Sequence, residues 1–128
     1  MSTRCTITVT DDQDTFHIYR HSDGYPEGEH GVLAGLDEAR SKAWKAPRFE
    51  AMDVAGAIVA TWKDGPGNIY LTREARLHGD RSYHYEVFAA SNGQWLVKCF
   101  GCDDDGRLQP AALYYGRVKD WAKSSMAA

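Results

Sequence analysis

The stretch Arg4-Cys5-Thr6-Ile7-Thr8-Val9-Thr10 decides the fold class, together with Thr15-Phe16-His17-Ile18-Tyr19-Arg20-His21, which follows Asp11-Asp12-Gln13-Asp14. Both stretches alternate with a period of two, the mark of a strand that is buried on one side only. In the first, Cys5, Ile7 and Val9 share a side and Arg4, Thr6, Thr8 and Thr10 take the other. In the second, Phe16 and Ile18 oppose His17, Tyr19 and His21. A four-residue polar turn between two such runs predicts a β-hairpin. One side of that hairpin needs an apolar cover.

The cover is readable further along the chain. Val32, Leu33, Leu36, Ala39, Ala43 and Trp44 recur at helical spacing until Ala46-Pro47 stops them. Phe49, Met52, Ala55, Ile58, Val59 and Trp62 form a second helical stripe, with Gly65 as its expected end. Strand patterns then return. Asn68–Thr72 predicts a short strand with Ile69 and Leu71 inward. Tyr83–Ala89 and Trp95–Phe100 predict a hairpin around Asn92-Gly93, a pair that favours such turns. Ala111–Tyr115 reads as extended, and Arg117–Lys123 as a short terminal helix with Val118 and Trp121 inward. Runs of strands, rather than alternating strand and helix, predict one α+β domain over residues 1–128. The expected architecture is an antiparallel sheet of about five strands, two helices on one face and a short C-terminal helix.

The composition bounds what such a domain can do. Its 128 residues carry a formal charge of −3, with 43% hydrophobic and 26% charged side chains. That balance argues against disorder and against generic nucleic-acid binding, which needs an excess of cations. Residues 1–64 carry net −4 and residues 65–128 net +1, so the first half is better suited to a basic partner. No apolar run approaches the ~18 residues of a membrane span, and MSTRCTITVT holds no signal-peptide core. With three cysteines and no such core, a cytoplasmic setting is expected.

If both helices cover one side of the sheet, the other side presents Thr6, Thr8, His17, Tyr19, His21, Tyr70, Thr72, His84, Glu86 and Phe88. Rings with polar tips on a rigid sheet suit recognition of a partner. A wet face, a face covered by the C-terminal segment and a homodimer contact share the same signature. The stretch Tyr19-Arg20-His21-Ser22-Asp23-Gly24-Tyr25-Pro26-Glu27 is the densest in functional groups. His21 and Asp23 have the types of an acid–base pair. A turn in which Asp23 caps, Gly24 takes positive φ and Arg20 pairs with a carboxylate explains the same residues. Arg73, Arg76, His78 and Arg81 precede a strand and are candidates to hold an anionic group, or are simply a charged loop.

Other motifs read as structure. Cys99-Phe100-Gly101-Cys102 has a metal-pair spacing, but no second pair completes four ligands. It ends a strand and meets Asp103-Asp104-Asp105, which opposes thiolate formation. That acidic run lacks the spaced ligands of a calcium loop. Gly65-Pro66-Gly67-Asn68 lacks the Lys-Ser/Thr of a phosphate loop. No cofactor or metal is expected.

The segment Tyr19-Arg20-His21-Ser22-Asp23-Gly24-Tyr25-Pro26 resembles the Tyr-Arg-His-x-Asp-Gly-Tyr-Pro segment of a set of small uncharacterised bacterial and phage proteins. Gly67-Asn68-Ile69-Tyr70 and Tyr83-His84-Tyr85-Glu86-Val87 sit where that pattern places them, so the likeness spans about residues 16–100. It implies a phage or mobile-element accessory, a setting in which proteins inhibit a host defence component by binding a protein or sequestering a signal molecule. The leading expectation is a non-catalytic binding protein. Its contacts would come from His17, Tyr19, His21, Asp23, Tyr25, Glu27, Tyr70, His84 and Glu86, with Glu29 beside them. The alternatives are a small-ligand binder or hydrolytic enzyme using His21, Asp23 and His84, with Arg73, Arg76 or Arg81 on the anion, and a structural homo-oligomer.

Overall fold

A computed structural model describes residues 2–120. The opening stretches form strands β1 (Cys5–Thr10) and β2 (Thr15–Arg20), paired antiparallel from Cys5↔Arg20 to Thr10↔Thr15. Asp11 makes the turn between them: its Oδ1 accepts from the Gln13 and Asp14 amides. Its Oδ2 accepts from the Ala51 amide at 2.7 Å, joining the hairpin to the start of the second helix.

Helix α1 covers Val32–Ala39 and α2 covers Ala51–Trp62. Both begin without a side-chain cap. At α1 the Tyr25 and Pro26 carbonyls accept from the Val32 and Leu33 amides instead. The first helix is shorter than its apolar stripe predicts. After Ala39 the chain tightens into the 3-10 turn Arg40–Lys42, and the Asp53 carboxylate of α2 takes the Trp44 amide. Trp44 therefore leaves the core and stacks under Arg48 at the surface. The second helix stops at Trp62, before Gly65, because the Asn68 side chain donates to the Trp62 carbonyl.

Strands β3 (Ile69–Thr72), β4 (Tyr83–Ala89), β5 (Trp95–Gly101) and β6 (Tyr114–Arg117) complete a six-stranded sheet of order β3-β2-β1-β4-β5-β6. The sheet is mixed, not wholly antiparallel: β1 and β4 run parallel. The reason is directional. β1 and β3 both lie antiparallel to β2, so they point the same way, and β4 enters beside β1 in that direction too. The chain must therefore cross the sheet between β3 and β4. The α1–α2 pair lies against one face. It packs Val32, Leu33, Leu36, Val54 and Ile58 with Cys5, Ile7, Val9, Ile18, Tyr85, Val87, Val97 and Cys99 in one core. Ile69 joins this core, but Leu71, expected inward, is 64% exposed: β3 is an edge strand, and Leu71 lines an open apolar groove with Phe16 and with Met52, Val59 and Ala60 of α2. Of the expected C-terminal helix, residues 118–120 are helical and Val118 is buried. Trp121 and the rest lie outside the described residues. No helix of the described residues is long and apolar enough to cross a membrane.

Candidate functional site

The crossover that the parallel pair requires runs over the face away from the helices. Residues 73–82, with a 3-10 turn at Ala75–Leu77, lie against β1 and β2 there. The β5–β6 connection joins them: Gly106 has φ +80, and a Cβ on it would sit 2.7 Å from Gly79 Cα. The face expected to be open is therefore partly roofed by these two loops. Tyr19, expected as an exposed anchor, is 1% exposed. His78 stacks on it at 4.1 Å, Tyr70 and His21 flank it, and its hydroxyl donates to Asp80 at 2.8 Å. Burial and that acceptor together push its pKa up. Thr6 and His84, also placed on the open face, are buried.

Arg81 is the centre of the roofed region. It is 6% exposed, yet it meets only uncharged acceptors. Its Nε donates to the Gly106 carbonyl at 2.9 Å, and its Nη1 donates to Thr6 Oγ1 at 3.0 Å and lies 3.3 Å from His84 Nδ1. The Nη2 group has no hydrogen-bond partner among the described residues, and no carboxylate among them reaches ion-pair distance. A guanidinium can only donate, so His84 Nδ1 is an acceptor and the imidazole proton sits on Nε2. Nε2 points at Glu86, with 3.6 Å to its Oε2. That N–H, backed by the charge of Lys98, holds Glu86 below the usual carboxylate range.

These groups line a cleft of about 300 Å³ with Thr8, His17, Glu74, Ala75, Arg76 and Leu108. His17 Nδ1 is tied to Thr8 Oγ1 at 2.8 Å. Burial and the neighbouring His84 lower the His17 pKa. Arg76 is exposed at the rim, paired with Glu74 at 2.9 Å. The cleft thus gathers His17, His84, Glu86, Arg76 and Arg81, which the sequence places in two separate groups.

Other candidates go elsewhere. Arg73 is exposed and does not line the cleft. His21 stays beside Tyr70, which is 38% exposed. Asp23 lines a different depression with Arg20, Glu29 and His30, so His21, Asp23 and His84 do not converge on one pocket. The polar stretch around Asp23 does structural work. Asp23 itself takes the positive φ, +54°, and accepts from the Tyr25 hydroxyl. Gly24 packs so closely on Thr3 and Cys5 that a Cβ would fall 2.8 Å from the Thr3 carbonyl oxygen. Its carbonyl accepts from the buried Tyr85 hydroxyl at 2.7 Å. Arg20 stacks on Trp62 instead of pairing with a carboxylate. Glu27 and Glu29 are exposed, and Glu29 lies 3.5 Å from His30.

Thr6, His84 and Glu86 line up like a hydroxyl nucleophile, its base and an orienting carboxylate. But Thr6 is fully buried and receives the Arg81 N–H, so no substrate can reach its oxygen. Burial pushes the Cys5 and Cys99 thiols up to about 12 and raises Cys102 as well, which disfavours the thiolate at each. Cys99 lies in the core, and among the described residues no three His, Cys, Asp or Glu side chains are grouped to hold a metal. Sequence reading missed Asp80, Glu74 and Leu108, because only the crossover brings the first two to this face and only the β5–β6 connection brings the third. Its one local signal was the polar run Arg76-Leu77-His78-Gly79-Asp80-Arg81 between two strands. Comparison of the chain with protein-family models, curated proteins and solved structures finds no match, which leaves the cleft's own chemistry to carry the functional reading.

Proposed function

We propose that this is a non-catalytic binding protein whose recognition centre is the Arg81 cleft, and that the group it recognises is anionic. The observation that carries the reading is Arg81: a nearly buried guanidinium without a carboxylate partner among the described residues, at the wall of a cleft that also holds two imidazoles. Burying an unpaired charge is costly. An entering oxyanion would supply the missing counter-charge and accept from Nη2 in a charge-assisted bond. In the setting implied by the resemblance, such a protein acts by holding an anionic signal molecule or an anionic group of a host component. Titration calorimetry with inorganic phosphate, against sodium chloride at matched ionic strength, tests this. Saturable heat is expected, weakened about tenfold in Arg81→Lys because an ammonium lacks the guanidinium fork. Phosphate behaving as chloride does, or an unchanged affinity in a folded Arg81→Lys, sinks the reading.

A further inference from the structure

We propose that the occupant of the cleft is a small zwitterion, an oxyanion joined by a short linker to an ammonium. The inference rests on the anion-binding reading and adds the second half of the ligand. Arg81 and Glu86 both line the cleft, but they do not touch. The His84 ring stands between them, with Nδ1 3.3 Å from Arg81 Nη1 and Nε2 3.6 Å from Glu86 Oε2. Opposite charges held one imidazole apart cannot neutralise each other by contact. Each keeps capacity for a ligand group: Nη2 on Arg81, and the carboxylate on Glu86, whose side chain is 38% exposed.

A simple anion would satisfy Arg81 and then lie near the charge of Glu86. An ammonium on the same molecule turns that repulsion into an ion pair. The rim pair Arg76–Glu74 is already neutralised internally, so it does not bias the cleft toward either sign. Ala75 and Leu108 provide apolar contact for a linker of a few methylenes. His17, with Nδ1 tied to Thr8, has Nε2 left to meet the oxyanion. A short aminoalkyl phosphate has these parts in this order.

The test uses a matched pair of probes, O-phosphoethanolamine and ethyl phosphate, which share the anion and differ in the ammonium. Both are titrated calorimetrically into the wild-type chain and into Glu86→Gln. Phosphoethanolamine is expected to bind about tenfold more tightly than ethyl phosphate, the factor that one added ion pair in a partly desolvated cleft can supply. Glu86→Gln should erase that difference while ethyl phosphate still binds. Equal affinities for the two probes in the wild type, or a preference that survives Glu86→Gln, overturn the zwitterion and leave the anion reading standing. Failure of both probes to bind the wild type overturns both. Glu86 is half-exposed and its replacement is nearly isosteric, and a circular-dichroism melt of the variant confirms that it is folded.

Discussion

The two faces of this sheet are buried by different physics. Under the helices, Cys5, Ile7, Val9, Val87 and Val97 make an apolar core, and shape decides what fits. Under the crossover, the alternate residues of the same strands, Thr6 and His84, are buried with Arg81 by hydrogen bonds to specific atoms. An apolar core loses stability in proportion to the volume removed. A polar layer loses it one unsatisfied donor or acceptor at a time. The lesson is that burial on the second face is conditional: it holds a charge that its own layer leaves without a carboxylate, and that is where a ligand can act.

The comparison can be broken or sharpened in order of expected effect. Ile7→Ala empties space under the helices and should cost about 4 kcal/mol in urea denaturation. Phosphate affinity of the remaining folded protein should stay unchanged. Arg81→Gln should cost about 3 kcal/mol, since Thr6 and the Gly106 carbonyl lose charged donors. It should also remove phosphate binding. If Ile7→Ala weakened phosphate binding as much, the two faces would not be independent. Gly106→Ala should cost about 2 kcal/mol, because its left-handed φ is strained for a side chain. Its Cβ would also push on Gly79, so phosphate affinity should fall with it.

The smallest effect is a pH dependence. Burial lowers the pKa of His17 and His78, so the unfolded chain takes up their protons more readily than the folded one. Their contribution to stability is full above about pH 6.5, the ordinary imidazole value. It is lost as pH falls through the lowered values. Both rings are only partly buried and still reach solvent, which keeps the loss between pH 7.5 and 5.5 under about 1 kcal/mol. His17→Gln should flatten part of that slope in thermal melts. An equal slope in the variant would place the proton linkage elsewhere.

The same contrast separates what could be read in the chain from what could not. The near-face core follows from alternation in 4–10 and 15–21 and from the stripes of the two helices. Each is a local pattern set by strand or helix geometry. The stretch around Asp23 was legible as a turn, though the left-handed residue is Asp23 rather than Gly24. The cleft was legible only as fragments. His17, His84 and Glu86 were assigned to an open face, and Arg76 and Arg81 to a separate basic loop. Tyr19 and Tyr70 looked equivalent by position, yet one is covered by His78 and Asp80 and the other stays exposed.

By itself the sequence determined the elements, their apolar sides and the α+β class, because those depend on residues a few positions apart. Tertiary structure alone decided the parallel β1–β4 pairing, the path of residues 73–82 across the far face and the convergence on Arg81. The bonds that build that centre join residues 75 and 78 positions apart, from Arg81 to Thr6 and from Thr6 to His84. No local periodicity encodes such contacts. They arise when two strands of like direction become neighbours and the chain between them has to cross the sheet.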